Sequence, residues 1–357
     1  MGVVQQVASE LGLSSSATEA DIAAYCVRKI GAWLDGRPRV QSIAEVQKIV
    51  CDRLHLAIVE VRTGADLNRL VSQYTHAGEW VFGYLPADLN DGTYATTYQI
   101  KQPQNHSQFG HWVAVIDSRN EEKAARRHFS KWHEIAHLLT MPAERERPYQ
   151  PEGPDLRALE RLMDAVAAQI GFYPPLFDPL LEQRVQGDRE LTLGGIERLR
   201  VDFCQDASYQ ATALAAVERA SLPCVYLEAA PDPARRTLRT CQVTASVPAW
   251  TNGLRISRDT PVPSSSVAAL VWNTPAEPGI PAHEVRTEQL SAWRHVDGGT
   301  LPRMDARVEA RCVRTSWHGC VQALITPTRL RDEWLASLPA VPTPNLPTQA
   351  GPVPDPW

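Results

Sequence analysis

Residues Phe129 to Leu139 read FSKWHEIAHLL, and this stretch organises our interpretation of the whole chain. It contains an H-E-x-x-H motif from His133 to His137. Two histidines four residues apart lie on one face of a helix, so both imidazoles can reach a single Zn²⁺. Glu134 would then stand beside the metal as a general base. The motif therefore predicts the chemistry of a zinc hydrolase.

The residues around the motif add weight to it, because a bare H-E-x-x-H occurs by chance in roughly one chain in a hundred of this length. Apolar side chains at helical spacing predict a helix that is buried in a core on one side. These side chains are Phe129, Trp132, Ile135, Ala136, Leu138 and Leu139. Lys131 departs from the pattern, since this turn of zinc-protease helices is usually uncharged.

A third metal ligand is expected, because a catalytic zinc has three protein ligands and an open fourth position. Glu160 lies on the next predicted helix, after a loop long enough to let that helix fold back. Asp164 stands one turn further along the same face, where it can accept the remaining N–H of a ligand imidazole. Without the upstream motif, both carboxylates would suit a solvated helix face. We predict that His133, His137 and Glu160 bind Zn²⁺, supported by Asp164.

Other residues are weaker candidates for the chemistry. Glu144 and Glu146 lie in a Pro-rich loop, which would position a metal ligand poorly. We interpret three further histidines as structural or surface residues, namely His106, His111 and His128. A cysteine nucleophile has no support, because none of the cysteines has local features that mark it as activated.

Length and composition indicate a two-domain globular protein. The chain has 357 residues and a formal net charge of −5, which does not demand nucleic acid as a partner. The seven cysteines are scattered without a C-x-x-C, so we expect reduced thiols and a cytoplasmic location. No window is apolar enough to cross a membrane, and the N-terminus lacks signal-peptide features. No membrane partner is therefore expected.

The N-terminal part predicts helices followed by strands. Helices are expected at about 15–35, with a cap within 16–19, and at about 41–54. The period then changes, and strands are expected at 56–61, 94–101 and 112–116. Ser118 and Glu121 could form a capping box for the helix that carries the motif. We expect the strand 112–116 to line the active-site rim and pair with an extended substrate, although its apolar run also suits a wholly internal strand.

Helical periodicity returns at 156–170 and ends near Tyr173-Pro174-Pro175. Two short helices follow within 191–220. Such a pair can read DNA, but packing support for the catalytic domain is favoured, because 211–220 offers few side chains suited to base contact.

From Pro223 the composition changes to short β-rich runs punctuated by Pro and Gly. Strands are predicted at 225–228, 241–247, 267–272, 308–315 and 320–325. Residues 316–319 are a predicted hairpin turn between the last two strands. A helix at 329–338 completes this second domain, and the Pro-rich tail 339–357 is predicted to be extended.

The order of these motifs resembles the ImmA/IrrE family of bacterial metallopeptidases over about residues 40 to 220. The pattern comprises two helices, strands, the run from His128 to His137, a loop, and Glu160-x-x-x-Asp164 followed by Val166-Ala167-Ala168. Two departures concern the subgroup rather than metal ligation: His128 replaces an Arg, and Phe172-Tyr173-Pro174 replaces a Leu-Met-Pro ending. The resemblance implies an endopeptidase that cleaves a helix-turn-helix repressor and so switches on stress, mobile-element or phage-defence genes.

We therefore expect an α+β protein with three parts. Residues 1–222 would be a zincin-like metallopeptidase domain that includes the helical pair at about 191–220. Residues 223–338 would be a β-rich domain that resembles GAF-type sensors and could bind an effector, either a small molecule or nucleic acid, and 339–357 the tail. The alternatives are a catalytically silent metal-containing sensor or binding module, and a DNA-binding regulator that uses 191–220.

A peptidase aimed at a repressor would derepress its genes constantly if it were always active, so we expect the C-terminal half to restrain it. One possible means is a thiolate from Cys312 or Cys320 that fills the open zinc position. Another is the second domain or its tail covering the cleft until an effector binds. The plain alternative is that both cysteines merely pack as small apolar residues across their hairpin.

Overall fold

The computed structural model describes residues 2–36, 40–101, 111–141, 153–232, 237–274, 282–314 and 319–338. The protein is of mixed α+β class. Its described strands form a three-stranded sheet and a five-stranded antiparallel sheet. In the described residues, no helix is long and apolar enough to cross a membrane.

Three helices begin the chain: α1 (Val3–Glu10), α2 (Glu19–Leu34) and α3 (Ile43–Leu54). Two of them were predicted, while α1 was not. Thr18 caps α2 by accepting from the backbone N–H of Asp21, whose side chain accepts from Thr18 in return. The cap predicted within 16–19 is therefore correct.

The first sheet consists of the three predicted strands, β1 (Leu56–Val61), β2 (Ala95–Gln99) and β3 (Trp112–Asp117). Their order is β1-β3-β2, with β3 parallel to β1 and antiparallel to β2. Because β3 is buried and paired on both sides, the prediction that it lines the rim and pairs with substrate is wrong. The strand beside the site is β2. Two helices that were not predicted, α4 (Gly64–His76) and the short α5 (Leu85–Asp88), lie between β1 and β2.

The motif lies on α6 (Glu121–Leu139), which packs against α7 (Pro154–Gly171). Asn120 caps α6, because its side chain accepts from the backbone N–H of Lys123. The predicted capping box from Ser118 is wrong, since the backbone N–H of Ser118 still donates to the end of β1 at Val61. The chain leaves the sheet only after Ser118.

Three more helices follow: α8 (Pro174–Asp188), α9 (Leu193–Phe203) and α10 (Tyr209–Arg219). Pro174 lies beyond α7 as predicted but also opens α8, since the first turn of a helix tolerates proline. The predicted pair within 191–220 is confirmed as α9 and α10.

The second sheet has the order β5-β4-β8-β7-β6. Its strands are β4 (Val225–Asp232), β5 (Thr237–Ala245), β6 (His283–Gln289), β7 (Asp305–Arg314) and β8 (Gly319–Pro327). Its helices are α11 (Val247–Thr251), α12 (Val267–Asn273) and α13 (Thr328–Ser337). The strand predicted at 267–272 is wrong, because this run forms α12, capped by Ser266. Short apolar runs fit a buried strand and a buried helix equally well.

The two sheets are linked through a shared core. Tyr226 and Leu324 of the second sheet, and Cys224 just before β4, belong to the same buried apolar cluster as α2, α6 and α7. A second cluster fills the opposite face of the five-stranded sheet beneath α12. The helix α10 contributes buried residues to the first cluster and also packs against β4 and β5.

Several predictions lie outside the described residues. These are the turn residues 316–318, the tail 339–357, and the side chains of Glu144, Glu146 and His106.

Candidate metal centre

Three predicted metal ligands converge between α6 and α7. His133 and His137 lie one turn apart on α6, and their Nε2 atoms are 3.2 Å from each other. Glu160 of α7 places Oε2 3.0 Å from His133 Nε2 and Oε1 3.6 Å from His137 Nε2. Within the described part of the chain, this is the group of His, Cys, Asp or Glu side chains that could hold a metal ion.

The spacing of these donors fits a small cation between them. Ligand atoms that surround a tetrahedral zinc at 2.0–2.1 Å are about 3.3 Å from one another. The distance between the two imidazole nitrogens and the two distances from those nitrogens to the Glu160 carboxylate oxygens are 3.0 to 3.6 Å. Two imidazoles with one carboxylate also form a donor set typical of catalytic zinc. The residues therefore fit a metal site with three protein ligands.

Asp164 of α7 contacts the first histidine. Its Oδ1 lies 2.9 Å from His133 Nδ1, so Nδ1–H donates to the carboxylate and Nε2 faces the cluster. Burial lowers the pKa of His133, but hydrogen bonds to Asp164 and Glu160 outweigh this and raise it to about 10. Burial likewise opposes ionisation of Glu160, yet hydrogen bonds with the two histidines hold its pKa well below the usual range. His133 and Glu160 thus stabilise each other's charged forms.

Glu134 lies on the same face of α6 and is only 8% exposed. Thr97 of β2 donates its hydroxyl to Oε2 of Glu134 at 2.6 Å, which orients the carboxylate. The sequence analysis did not identify Thr97. The strand 94–101 was predicted, but only the pairing of β2 with β3 determines which of its side chains faces α6.

A cleft of about 730 Å³ opens over these residues. Its walls are the segment 92–97, the exposed side of α6, and the start of α7 at Leu156 and Leu159. Among the described strands, β2 has a partner on one edge only, and that partner is β3. Its other edge therefore leaves backbone groups unpaired in the first sheet.

A buried lysine holds one wall of this cleft in place. Lys123 of α6 donates from Nζ to the Asp117 carboxylate at 2.7 Å and to the carbonyls of Asn90 at 2.7 Å and Thr93 at 3.0 Å. Arg119 also donates to Asp117 and to the carbonyl of Leu89. The segment before β2 is thereby tied to α6.

Lys131, the charged departure from the usual motif helix, forms ion pairs outside the cleft. Its Nζ is 2.5 Å from Glu60 Oε1 and 3.6 Å from Asp206 Oδ2. This charge is therefore compensated by β1 and by the turn after α9.

Of the residues that the structure describes, the remaining histidines and cysteines do not line the cleft. His128 is buried, and its Nε2–H donates to the Gly171 carbonyl at 3.0 Å. His111 is exposed at the start of β3. Cys312 and Cys320 are buried in the five-stranded sheet, so the expectation that one of them fills the metal position is wrong. They also lie on opposite faces, because Cys312 is paired with Val321 rather than with Cys320.

Comparisons with protein-family models and with curated proteins found no match. No protein-family model matches the chain. No curated protein matches it by sequence either.

Proposed function

We propose that the protein is a zinc-dependent endopeptidase with a zincin-like catalytic domain. The observation that carries this proposal is the convergence of His133, His137 and Glu160 beside Glu134 at the floor of an open cleft. In this proposal the three converging side chains hold Zn²⁺. Their nitrogen and oxygen donors suit zinc better than the all-oxygen sites preferred by Mg²⁺ or Ca²⁺.

The protein groups have separate roles in the proposed reaction. Bound zinc would supply the Lewis acidity that polarises a carbonyl group and lowers the pKa of water. Glu134 accepts the proton of the attacking water and delivers it to the leaving amine. Thr97 holds that carboxylate in place, and Asp164 fixes the tautomer of His133.

An extended peptide is the substrate that the cleft favours. The unpaired edge of β2 runs along the wall next to Glu134, and its backbone groups can pair with an added strand. An antiparallel substrate strand would place its backbone carbonyls along the same wall. In this respect β2 takes the role that the sequence analysis assigned to β3.

The spacing of the two sequence motifs supports a more specific target. We propose membership of the ImmA/IrrE family and cleavage of a helix-turn-helix repressor in the cytoplasm. In this proposal the five-stranded sheet acts as a GAF-like sensor for an effector. The packing of α10 against β4 and β5 disfavours DNA binding through 191–220, because that helix face is covered.

Metal content and cleavage test the proposal together. We expect about one zinc per chain in the purified protein and its loss in His133→Ala, because two ligands leave an incomplete site. Glu134→Gln should keep zinc and fold but lose cleavage of casein and of a helix-turn-helix protein encoded beside this gene. Full zinc in His133→Ala would contradict the ligand assignment. Undiminished cleavage by Glu134→Gln would remove this residue from the mechanism.

The same measurements distinguish the proposed peptidase from a catalytically silent metal-containing module. A silent metal-containing module would retain zinc in the unmodified chain and cleave neither casein nor the helix-turn-helix protein. An electrophoretic shift of duplex DNA would instead support a DNA-binding regulator.

A further inference from the structure

Arg126 is the one cationic Lys or Arg side chain among the described residues that line the cleft. It is exposed on α6, two turns before Glu134. Its guanidinium lies over the ring of Tyr94 at 4.2 Å from the ring centroid. The Tyr94 hydroxyl in turn donates to Glu122 at 2.8 Å. A guanidinium held over an aromatic ring loses little freedom on binding a ligand.

The other cations of α6 are neutralised by neighbouring acids. Lys123 pairs with Asp117, Arg127 with Asp206, and Lys131 with Glu60. Arg126 has no such ion pair with any carboxylate in the described ranges. Its planar face is occupied by Tyr94, while its N–H donors can still bind a carboxylate in the cleft.

The position of Arg126 relative to Glu134 defines where it would meet a substrate. Eight residues of helix separate them, which is about 12 Å along α6. On the opposite wall, Thr97 of β2 contacts Glu134, and Tyr94, just before β2, contacts Arg126; the two positions are three residues or about 10 Å apart. A substrate strand added to β2 would therefore reach Arg126 about three residues from the peptide bond that is cleaved beside Glu134.

The direction of that strand is set if it pairs antiparallel with β2, as β3 does on the other edge. Since β2 runs from the Arg126 end towards the Glu134 end, an antiparallel substrate runs from Glu134 towards Arg126. The substrate residue near Arg126 then follows the cleaved bond in sequence.

We propose that Arg126 determines substrate specificity by binding a carboxylate about three residues after the cleaved bond. This inference rests on the proposed peptidase function. The carboxylate comes from an Asp or Glu side chain in an internal segment, or from a free chain terminus at the same distance. Glu134, Glu160 and Asp164 lie at the metal end of the cleft, so their negative charge does not occupy this position.

Cleavage-site profiling of the full-length zinc-loaded protein tests the inference without a known substrate. The probe is a chymotryptic peptide library, with new N-termini identified by mass spectrometry. We expect Asp and Glu to be enriched at the second to fourth residues after the cleaved bond. In synthetic peptides, Glu at the preferred position should raise kcat/KM about tenfold over Gln. Peptides that end at the preferred position, with either a free or an amidated C-terminus, show whether Arg126 binds a side-chain carboxylate or the carboxylate of a chain end.

Charge reversal provides the decisive variant. Arg126→Glu should invert the preference, so that Lys replaces Glu as the favoured residue, which a merely structural role for Arg126 would not produce. The control is Arg157→Glu, which reverses another exposed arginine near Glu160 that does not line the cleft. This control should retain the acidic preference.

Binding provides a readout that is independent of turnover. In the Glu134→Gln background, a fluorescein-labelled Glu peptide should bind about tenfold more tightly than its Gln counterpart, and Arg126→Gln should abolish the difference. Cleavage with equal preference for Glu and Gln would overturn this inference alone. Failure to cleave any library peptide or casein would contradict the proposed function, and the inference with it.

Discussion

At the scale of single residues, Thr97 joins the candidate site although it belongs to no motif. Its hydroxyl donates to Glu134 Oε2 at 2.6 Å, and it stands on a strand that is remote from α6 in sequence. A general base must be held within hydrogen-bonding reach of the proton it accepts. Thr97 therefore has a positioning role in our proposal.

Removing this hydroxyl should lower turnover selectively. Thr97→Val keeps the shape of the side chain but leaves Glu134 without its donor, so we expect kcat to fall about tenfold at similar KM and zinc content. Thr97→Ser restores the hydroxyl and should recover most of the activity. Equal activity of the Val and Ser variants would contradict the positioning role.

His128 is a buried neutral histidine that links α6 to α7 and α9. Its Nε2–H donates to the carbonyl of Gly171, and its Nδ1 lies 3.4 Å from Cys204 Sγ. Burial lowers the pKa of His128 from 6.5 to about 4, although the Gly171 carbonyl opposes this shift. Between pH 6.5 and about 4 the unfolded chain therefore binds a proton that the folded chain does not.

The stability that neutral His128 contributes is complete above pH 6.5 and is lost as the pH falls towards 4. The loss amounts to about 3 kcal/mol over this range. In the metal-free protein, we expect the stability difference between the wild type and His128→Gln to shrink by about this amount between pH 7 and pH 4. Denaturant unfolding at several pH values measures it. A difference that stays constant with pH would show that His128 does not titrate differently on folding.

At the scale of elements, the placement of Glu160 depends on close packing between α6 and α7. Gly171, at the end of α7, lies against the fully buried Trp132 of α6. A Cβ atom at Gly171 would be 3.1 Å from Trp132 Cδ1 and 3.2 Å from Cγ. A large buried ring has little room to move, so glycine favours this close approach of the two helices.

Gly171→Ala should therefore destabilise the protein by about 1–3 kcal/mol through overpacking. The matched control is Gly187→Ala in α8, where an added Cβ meets nothing within 4 Å. This control should be neutral or stabilising by up to about 1 kcal/mol, because alanine favours helix over glycine. Thermal unfolding of both variants checks the contrast. Equal stability of the two would show that Trp132 and α7 adjust without cost.

At the scale of the whole molecule, the five-stranded sheet is connected to the helices by buried polar groups as well as apolar ones. Glu228 of β4 accepts from Gln210 of α10 at 2.5 Å, from Tyr226 at 2.6 Å and from Gln322 at 2.9 Å. Arg311 of β7 lies over the ring of Tyr209 at 3.7 Å. Separating the sheet from α10 would leave this carboxylate without its helical donor.

A fragment of residues 1–222 should consequently be less stable than the full chain. It lacks the fully buried Tyr226 and the Leu324 side chain, and removing a large buried aromatic group costs about 3–5 kcal/mol. We expect a lower thermal midpoint and increased binding of a hydrophobic dye. A fragment with the midpoint of the full chain would support an independent domain that ends at residue 222.

The predicted restraint on activity is better tested by a smaller deletion. A chain that ends at Leu338 keeps every described residue of the shared core, and we expect it to unfold at the same temperature as the full protein. We predict that it cleaves casein faster than the full chain without a stimulus, because a regulatory peptidase needs a latent state. Equal basal cleavage by the two proteins would show that residues 339–357 do not inhibit.

The sequence by itself placed the candidate site residues whose relative positions depend on local spacing. His133, Glu134 and His137 share a helix face because 3.6 residues make one turn, and this holds in any fold that contains the helix. The periodicity of Glu160 and Asp164 placed both on a second helix for the same reason. The three strands of the first sheet and the pair α9 and α10 were also predicted, since alternation and capping are local signals.

Tertiary structure alone decided which distant segments meet. The choice of β2 over β3 as the edge strand depends on sheet order, which the local pattern of either strand does not contain. The contacts of Thr97 with Glu134 and of Tyr94 with Arg126 follow from that order. The run 267–272 forms a helix. Its sequence could not show this, because a short apolar segment fits a buried strand and a buried helix equally well. Local sequence patterns determine which helix or strand a residue belongs to, whereas tertiary packing determines which residues of other elements it contacts.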